Sequence, residues 1–264
     1  MLPPVLRRFA KRIVQLAAPE LLHKRHIRLA TLDEKETGLL PLLCRHDRIS
    51  VDVGANRGLY VHHLLPVSRE VWAFEPHPAM FGALKARYGQ RAKVLQIALS
   101  DAPGTAVLRL PPGNVSWASI SPENAFELAD ASAGLEEVSV ETRTLDSFAL
   151  SDLGLLKIDV EGHEEAVLRG AIATLRSSMP NIVVEVEERH SRGAVERIKA
   201  LLAGLGYSGF FLSGDGLRPM SEFSVARHQP IENVSVAGKT GTYINNFVFV
   251  PESFVATLVA GSGT

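Results

Sequence analysis

The stretch ISVDVGANRGLYVHHLL, residues 49–65, sets Asp52, Gly54, Asn56 and Gly58 between an apolar run and a helical pattern. Glycines between a strand and a helix let a ligand come close to backbone. Other acids follow apolar runs in the same way. Glu75 stands just before Pro76, Asp159 and Glu161 just before Gly162, and Glu185 and Glu187 end the run NIVVEVEE. In open α/β sheets, ligands bind at the carboxyl ends of the strands. Acids repeated at those ends point to binding or proton transfer rather than to solubility.

Glu75 lies about 20 residues after the glycine turn, the offset that puts a carboxylate at the end of a second strand. There it can accept hydrogen bonds from both ribose hydroxyls of an adenosine. A nicotinamide cofactor would use the same acid, so the turn must choose. The dinucleotide fingerprint is G-x-G-x-x-G/A. This chain carries Asn56 at the second position and Leu59 at the third, and it lacks the Gly-Lys-Ser/Thr of a P-loop. An acid-lined G-x-N-x-G turn suits a ligand with adenosine, positive charge and no phosphate. S-adenosyl-L-methionine is that ligand. An NAD-dependent oxidoreductase is the rival enzyme class, and a non-catalytic binding protein on the same fold is the rival outside enzymes.

The elements that must position these residues read clearly in places. RISVDVG predicts a strand over 48–53, REVWAFEP a strand over 70–75, and AKVLQIALS a third. Helical patterns follow at LYVHHLL and at PAMFGALKARYG. After an irregular middle rich in Pro, Ser, Gly and Asn, VSVETRTL reads as a strand returning the chain. LGLLKIDVEG and NIVVEVEE read as strands, each followed by a helix, HEEAVLRGAIATLRS and AVERIKALLAGLG. YSGFFLS and NNFVFVP close the chain as strands. Strand–helix alternation predicts an α/β fold, a doubly wound and mostly parallel sheet with an antiparallel C-terminal edge strand. The expected organisation is an N-terminal helical extension at 1–47, one domain at 48–251, and a C-terminal tail at 252–264 that is loose over ATLVAGSGT. The loop at 111–137 and the segment SGDGLRPMSEFSVARHQPIEN are expected to shape a substrate pocket.

Composition narrows the classes. The chain has 264 residues, 46% hydrophobic and 22% charged, ordinary for a globular protein with a full core. The net charge of -1 gives no global field for nucleic acid, so no nucleic-acid partner is expected. The one cysteine, Cys44, excludes an intrachain disulfide, suits a reducing cytoplasmic compartment and reads as a buried inert thiol. No stretch approaches the ~18 apolar residues of a membrane span. The basic N-terminus lacks the apolar core of a secretory signal. Val5, Phe9, Ile13 and Leu16 fall near one helical face, with Arg8, Lys11 and Arg12 elsewhere. That face is read as packing on the domain, or as a peripheral contact with an anionic membrane.

DVGANRG, FEPHP, ALSDAPG, LKIDVEGHEEAVLRGA and NNFVFVP, in that order, resemble the FkbM family of S-adenosylmethionine-dependent methyltransferases. The resemblance covers roughly residues 35–250, and KIDVEGHE and DVGAN are its most specific parts. It implies a class I methyltransferase (Rossmann-like) fold and O-methylation of a hydroxyl, of a sugar on a glycan or glycolipid or of a polyketide. Carried over, Asp52, Gly54, Ala55, Asn56 and Gly58 would line the methionine end and Glu75 would hold the ribose. Ala98 and Leu99 would pack near the adenine, with Asp101 as an adenine partner. Asp159 would sit at the methyl-transfer mouth, and Ser119 belongs to a segment that resembles the family's Ser-containing loop.

A hydroxyl attacked onto a methyl group must lose its proton, and a carboxylate or histidine in hydrogen-bond reach can take it. Asp159 is the expected base or acceptor-orienting group, with His163 as the alternative base. Glu161, Glu185 and Glu187 are expected to meet acceptor hydroxyls, and Trp117 to stack on a sugar face. Asp159, Glu161, His163 and Glu185 could also ligate a hard divalent metal, although their spacing is no metal signature and none is expected. The oligomeric state has no signal in the sequence.

Overall fold

A computed structural model of the chain describes residues 19–111, 117–124, 134–214, 216–235 and 238–262. The basic stretch holding Val5 to Leu16 lies outside the described residues. In chain order, the strands that matter for the site are β1 (Ile49–Val53), β2 (Glu70–Phe74), β3 (Lys93–Leu95), β4 (Ala98–Leu99), β5 (Gly104–Leu110) and β6 (Glu136–Arg143). Then come β7 (Leu153–Ile158), β8 (Asn181–Glu185), β9 (Tyr207–Ser213) and β10 (Gly216–Pro219). A short ribbon of β11 (Val234–Ser235) and β12 (Gly238–Lys239) precedes β13 (Asn246–Pro251).

The main sheet has the order β10-β9-β13-β8-β7-β1-β2-β3. Strands β3, β2, β1, β7 and β8 pair in parallel. This is the doubly wound, Rossmann-like sheet that the resemblance implies for a class I methyltransferase. The chain moves outward from β1 to β3, then re-enters on the other side of β1 at β7. The crevice between the ends of β1 and β7 is therefore a topological switch point, where ligands of such sheets bind.

Side chains alternate across the sheet and feed two cores. Trp72, Phe74, Leu156, Ile158, Ile182 and Val184 face one helical layer, while Val71, Ala73, Leu155 and Val183 face the other. Each fully buried Leu, Val or Phe contributes roughly 1.5–3 kcal/mol. Both β1 and β7 are buried along their whole length, which makes the ends of those strands a stiff platform.

Several expectations are corrected. AKVLQIALS is not one strand: Lys93–Leu95 joins the main sheet, and Ala98–Leu99 turns away into a three-stranded sheet with β6 and β5. HEEAVLRGAIATLRS forms two helices, Glu164–Arg169 and Ile172–Ser178. They break at Gly170, where an added Cβ would lie 2.0 Å from the Ser100 carbonyl oxygen. The antiparallel C-terminal strand β13 is not at the edge but between β8 and β9. Phe247, Val248, Phe249 and Val250 are all buried, so both faces of β13 need cover. The antiparallel strand at the edge is instead the short β10. The tail is not loose: Val255–Ser262 is a helix that buries Leu258 in the second core.

Cys44 is buried, and burial pushes its thiol up to about 11, so it stays protonated and inert. The N-terminal helix Pro19–Asp33 docks by His23 Nε2 to the Tyr88 hydroxyl at 2.8 Å and by Thr31 Oγ1 to His63 Nε2 at 2.9 Å. Among the described residues no helix is long and apolar enough to cross a membrane.

Candidate active site

The turn after β1 is built by close approach. Gly54 has φ +78°, and a Cβ there would lie 1.8 Å from the Asp159 carbonyl oxygen. The ends of β1 and β7 can meet only across a glycine. Gly54→Ala is expected to destabilise the chain by roughly 3 kcal/mol or more, from left-handed strain plus backbone collision. Chemical denaturation measures this, and a wild-type midpoint for that variant would contradict the turn geometry.

The backbone donors of this turn are occupied within the protein. Gly54 and Ala55 N–H both donate to the Phe74 carbonyl at 3.0 Å, and Gly58 N–H donates to Ala55 at 2.7 Å. Asn56, at φ +45°, donates its N–H to Glu75 Oε2 at 2.7 Å. His77 N–H donates to Glu75 Oε1 at 2.8 Å. These N–H groups therefore form no cradle for a pyrophosphate, unlike those of a dinucleotide turn.

Two cavities open from the turn. The first has an apolar wall of Phe74, Ile97, Ala98, Leu99, Leu108 and Ile120, with Glu75 and Asp159 on its polar side. Glu75 is 6% exposed, and burial pushes its carboxyl up to about 7 against the pull of its two backbone hydrogen bonds. An apolar slot beside a buried carboxylate has the shape and chemistry for a nucleoside, base in the slot and ribose on the acid.

The second cavity is lined by Glu34, Asp52, Ala55, Arg57, Tyr60 and Asp159. Gly54, Asn56 and Asp159 border both cavities, so the two meet there. Asp52 is 2% exposed, and burial pushes its carboxyl up to about 7, with Lys157 opposing and Asp159 and Glu75 adding. Among the described residues, Asp52 Oδ2 and Asn56 Oδ1 are buried with no hydrogen-bond partner. Orphaned acceptors of this kind cost about 1–3 kcal/mol each and call for a donor from outside the chain. Beneath them lies Lys157, fully buried, its Nζ 3.9 Å from Asp159 Oδ2 and 4.7 Å from the Tyr60 ring centre. Burial works against its charge, but Asp159, Glu185, Glu34 and Asp52 together raise it and keep it cationic.

A third group gathers beyond Asp159. Glu161 has φ +55°, and its carbonyl accepts from Ser119 Oγ at 2.7 Å and Asn124 Nδ2 at 2.9 Å. Glu164 accepts from Gly162 N–H at 2.8 Å, which locks the same turn. The Glu161 carboxyl faces His190 Nδ1 at 3.2 Å. Glu187 accepts from Arg189 Nε at 2.5 Å and from the Tyr243 hydroxyl at 2.6 Å. Burial would raise Glu187, but Arg189 holds it down at about 2. Asn245 Nδ2 bridges Glu185 and Glu187. The Arg189 guanidinium lies 5.9 Å from the Trp117 ring centre.

Asp52, Gly54, Ala55, Asn56, Glu75, Ala98, Leu99 and Asp159 thus surround the paired cavities. Gly58 does not line them. Its φ is +84°, and an added Cβ would lie 2.6 Å from the Tyr88 ring, so it serves helix packing. Asp101 is exposed, outside both cavities, and accepts from Ser100 Oγ at 3.1 Å. His163 borders the first cavity, with Nε2 2.9 Å from Ser100 Oγ; burial lowers its pKa, so it is neutral near pH 7. Ser119 is 1% exposed and pins the Glu161 backbone rather than opening onto the cavity.

The suggested metal set of Asp159, Glu161, His163 and Glu185 is not the one brought together. Among the described residues, Glu161, Glu187 and His190 have ligand atoms within 4.8 Å of one another. A metal there would lie beside the guanidinium already bound to Glu187, a poor fit for a divalent cation. Sequence reasoning missed Glu34, Arg189, His190, Tyr243 and Asn245. Only Asn245 left a signal, as an amide just before the apolar run of β13.

Residues 52–208 match the Methyltransferase FkbM domain. The 31-O-demethyl-FK506 methyltransferase FkbM of Streptomyces tacrolimicus is 30% identical over 187 residues, 60% of this chain and 71% of that one. The hexuronic acid methyltransferase AglP of Haloferax volcanii is 30% identical over 151 residues, 53% of this chain and 56% of that one. A solved structure of methyltransferase FkbM from Methylobacillus flagellatus KT aligns with a TM-score of 0.48 at 15% identity, over 78% of this chain and 44% of that one. With the match running from the acid of β1 to the start of β9, the chain belongs to the FkbM family of methyltransferases.

Proposed function

We propose that the chain is an O-methyltransferase that uses S-adenosyl-L-methionine and acts on a hydroxyl of a sugar in a glycan or glycolipid. The observation that carries the donor reading is the pair of cavities meeting at Gly54, Asn56 and Asp159. One end suits a nucleoside, and the other presents acids and orphaned acceptors to a cation. S-adenosyl-L-methionine, when bound, supplies an electrophilic methyl group. The residues fit it: Glu75 would hold the ribose, Leu99 and Ile97 would flank the base, and Asp52 and Asn56 would face the amino-acid end.

Asp159 stands at the junction, 36% exposed in its side chain, where an acceptor can reach it. We assign it the acceptor hydroxyl, which it orients and whose proton it takes. Glu161 borders the first cavity, and we assign it, with the neighbouring Glu185, Glu187 and Arg189, to the acceptor hydroxyls. Trp117 adds a flat apolar surface of the kind that sugar rings cover. The hexuronic acid methyltransferase among the relatives supports a carbohydrate acceptor. The second reading, the hydroxyl of a polyketide or similar small natural product, is favoured by the 31-O-demethyl-FK506 methyltransferase. Transfer of a tritiated methyl group to extracted glycolipids, oligosaccharides and macrolides separates the two, and alkali-stable label marks an ether rather than an ester. A cytoplasmic site of action, with a peripheral membrane contact through the basic N-terminus, belongs to the same proposal.

The donor reading carries a pH dependence. Burial puts both Asp52 and Glu75 at about 7 in the free protein. A cationic ligand that needs both ionised lowers their pKa values on binding. Protons are then released, and affinity rises as pH climbs from about 6 to 8. Calorimetry in buffers of different ionisation enthalpy reads this release. Affinity that is flat or falling over that window would contradict it.

A further inference from the structure

The second cavity is lined in part by a residue that lies before the matched segment 52–208. Glu34 sits where the helix Pro19–Asp33 ends and a turn of 3-10 helix, Lys35–Leu39, begins. Its backbone is held at three points: its N–H donates to Ala30 at 2.9 Å, and its carbonyl accepts from Thr37 N–H at 3.1 Å and Thr37 Oγ1 at 2.7 Å. Its carboxylate accepts from Asn246 Nδ2 at 2.9 Å, across 212 residues of sequence, and from the Tyr60 hydroxyl at 3.5 Å. Both of these hydrogen bonds fall on Oε2. A surface acid would not be anchored from the first residue of β13 and from a buried tyrosine.

Glu34, Asp52, Asn56 and Asp159 together present oxygen to one cavity, and two of those oxygens, Asp52 Oδ2 and Asn56 Oδ1, have no partner. Among the described residues of the lining, Arg57 is the one cationic side chain, and it is exposed. Acceptors inside and a guanidinium at the rim are complementary to an α-amino acid, ammonium inward and carboxylate outward. We infer that Glu34 is a direct ligand of the α-ammonium group of the methyl donor, so that the N-terminal segment completes the donor site. The inference rests on the donor reading above and adds a residue and a segment to it.

The test uses the full chain and two probes, S-adenosylhomocysteine and 5′-methylthioadenosine. They share the nucleoside and the thioether, and only the first carries the amino-acid end. Isothermal calorimetry compares the wild type with Glu34→Gln and Glu34→Ala. The expected result is S-adenosylhomocysteine weakened about 10- to 100-fold, the loss of one charge-assisted hydrogen bond. Methylthioadenosine should keep its wild-type affinity within about twofold, which also reports that the variants fold. Equal weakening of both probes would make Glu34 a merely structural residue and overturn the inference, as would unchanged affinity for both. A wild-type chain that binds neither probe would overturn the donor reading itself.

Discussion

Asp159→Asn is expected to lower methyl transfer by about 10²- to 10⁴-fold, the range typical for loss of a positioned general base. Asparagine keeps the size of the side chain and can still accept a hydrogen bond from a hydroxyl, but it cannot take the proton. The Asp159 backbone, which a Cβ on Gly54 would strike, is untouched by this change. The effect should therefore fall on kcat more than on donor affinity. His163→Ala is the control. That imidazole is engaged with Ser100 Oγ, so its loss should cost far less than the loss of Asp159. A His163 variant that loses more activity than the Asp159 variant would transfer the proton-accepting role to the histidine.

Glu75→Ala is expected to weaken S-adenosylhomocysteine binding by on the order of 100-fold or more. Two ribose hydroxyls would lose charge-assisted bonds worth about 1.5–3 kcal/mol each. The same carboxylate also receives the N–H groups of Asn56 and His77, so its removal loosens the turn itself. Glu75→Gln separates the two roles. Its single carbonyl oxygen can keep one of these acceptor functions, and it should fall between the wild type and the alanine variant. Wild-type affinity in Glu75→Ala would remove the ribose assignment. It would not affect the family, which rests on the match over 52–208.

The sheet was legible wherever burial is continuous. The runs that became β1, β7, β8 and β13 are dominated by Ile, Val, Leu and Phe and are buried almost throughout, the pattern of strands covered on both faces. Elements broken by a single close contact were not legible. The interruption at Gly170 depends on the Ser100 carbonyl, far away in sequence, and a periodic helical pattern carries no trace of it. The position of β13 inside the sheet depends on which strands accept it, which local sequence does not encode. The tail helix was missed because Gly261 and Ser262 weaken its helical signal, whereas Leu258 finds a place in the core only in three dimensions.

The same division runs through the site. Asp52, Gly54, Asn56, Glu75 and Asp159 stand at the ends of strands, so strand order alone brings them together. Gly58 and Asp101 sat in the same motifs but serve packing and solvent, because a motif fixes spacing and not the direction of each side chain. Glu34 reads as one more acid in a charged helical stretch, and only its bond to Asn246 reveals its place. Arg189 and His190 look like a solvated loop after strand β8, yet Arg189 lies within hydrogen-bond reach of the buried Glu187 and His190 within reach of the half-buried Glu161.

Titration of S-adenosylhomocysteine into the full chain tests the central claim most directly, with NAD titrated in parallel. The account predicts one saturable site per chain, accompanied by proton release near pH 7, and no comparable binding of NAD. Saturable binding of NAD with none of S-adenosylhomocysteine would contradict it.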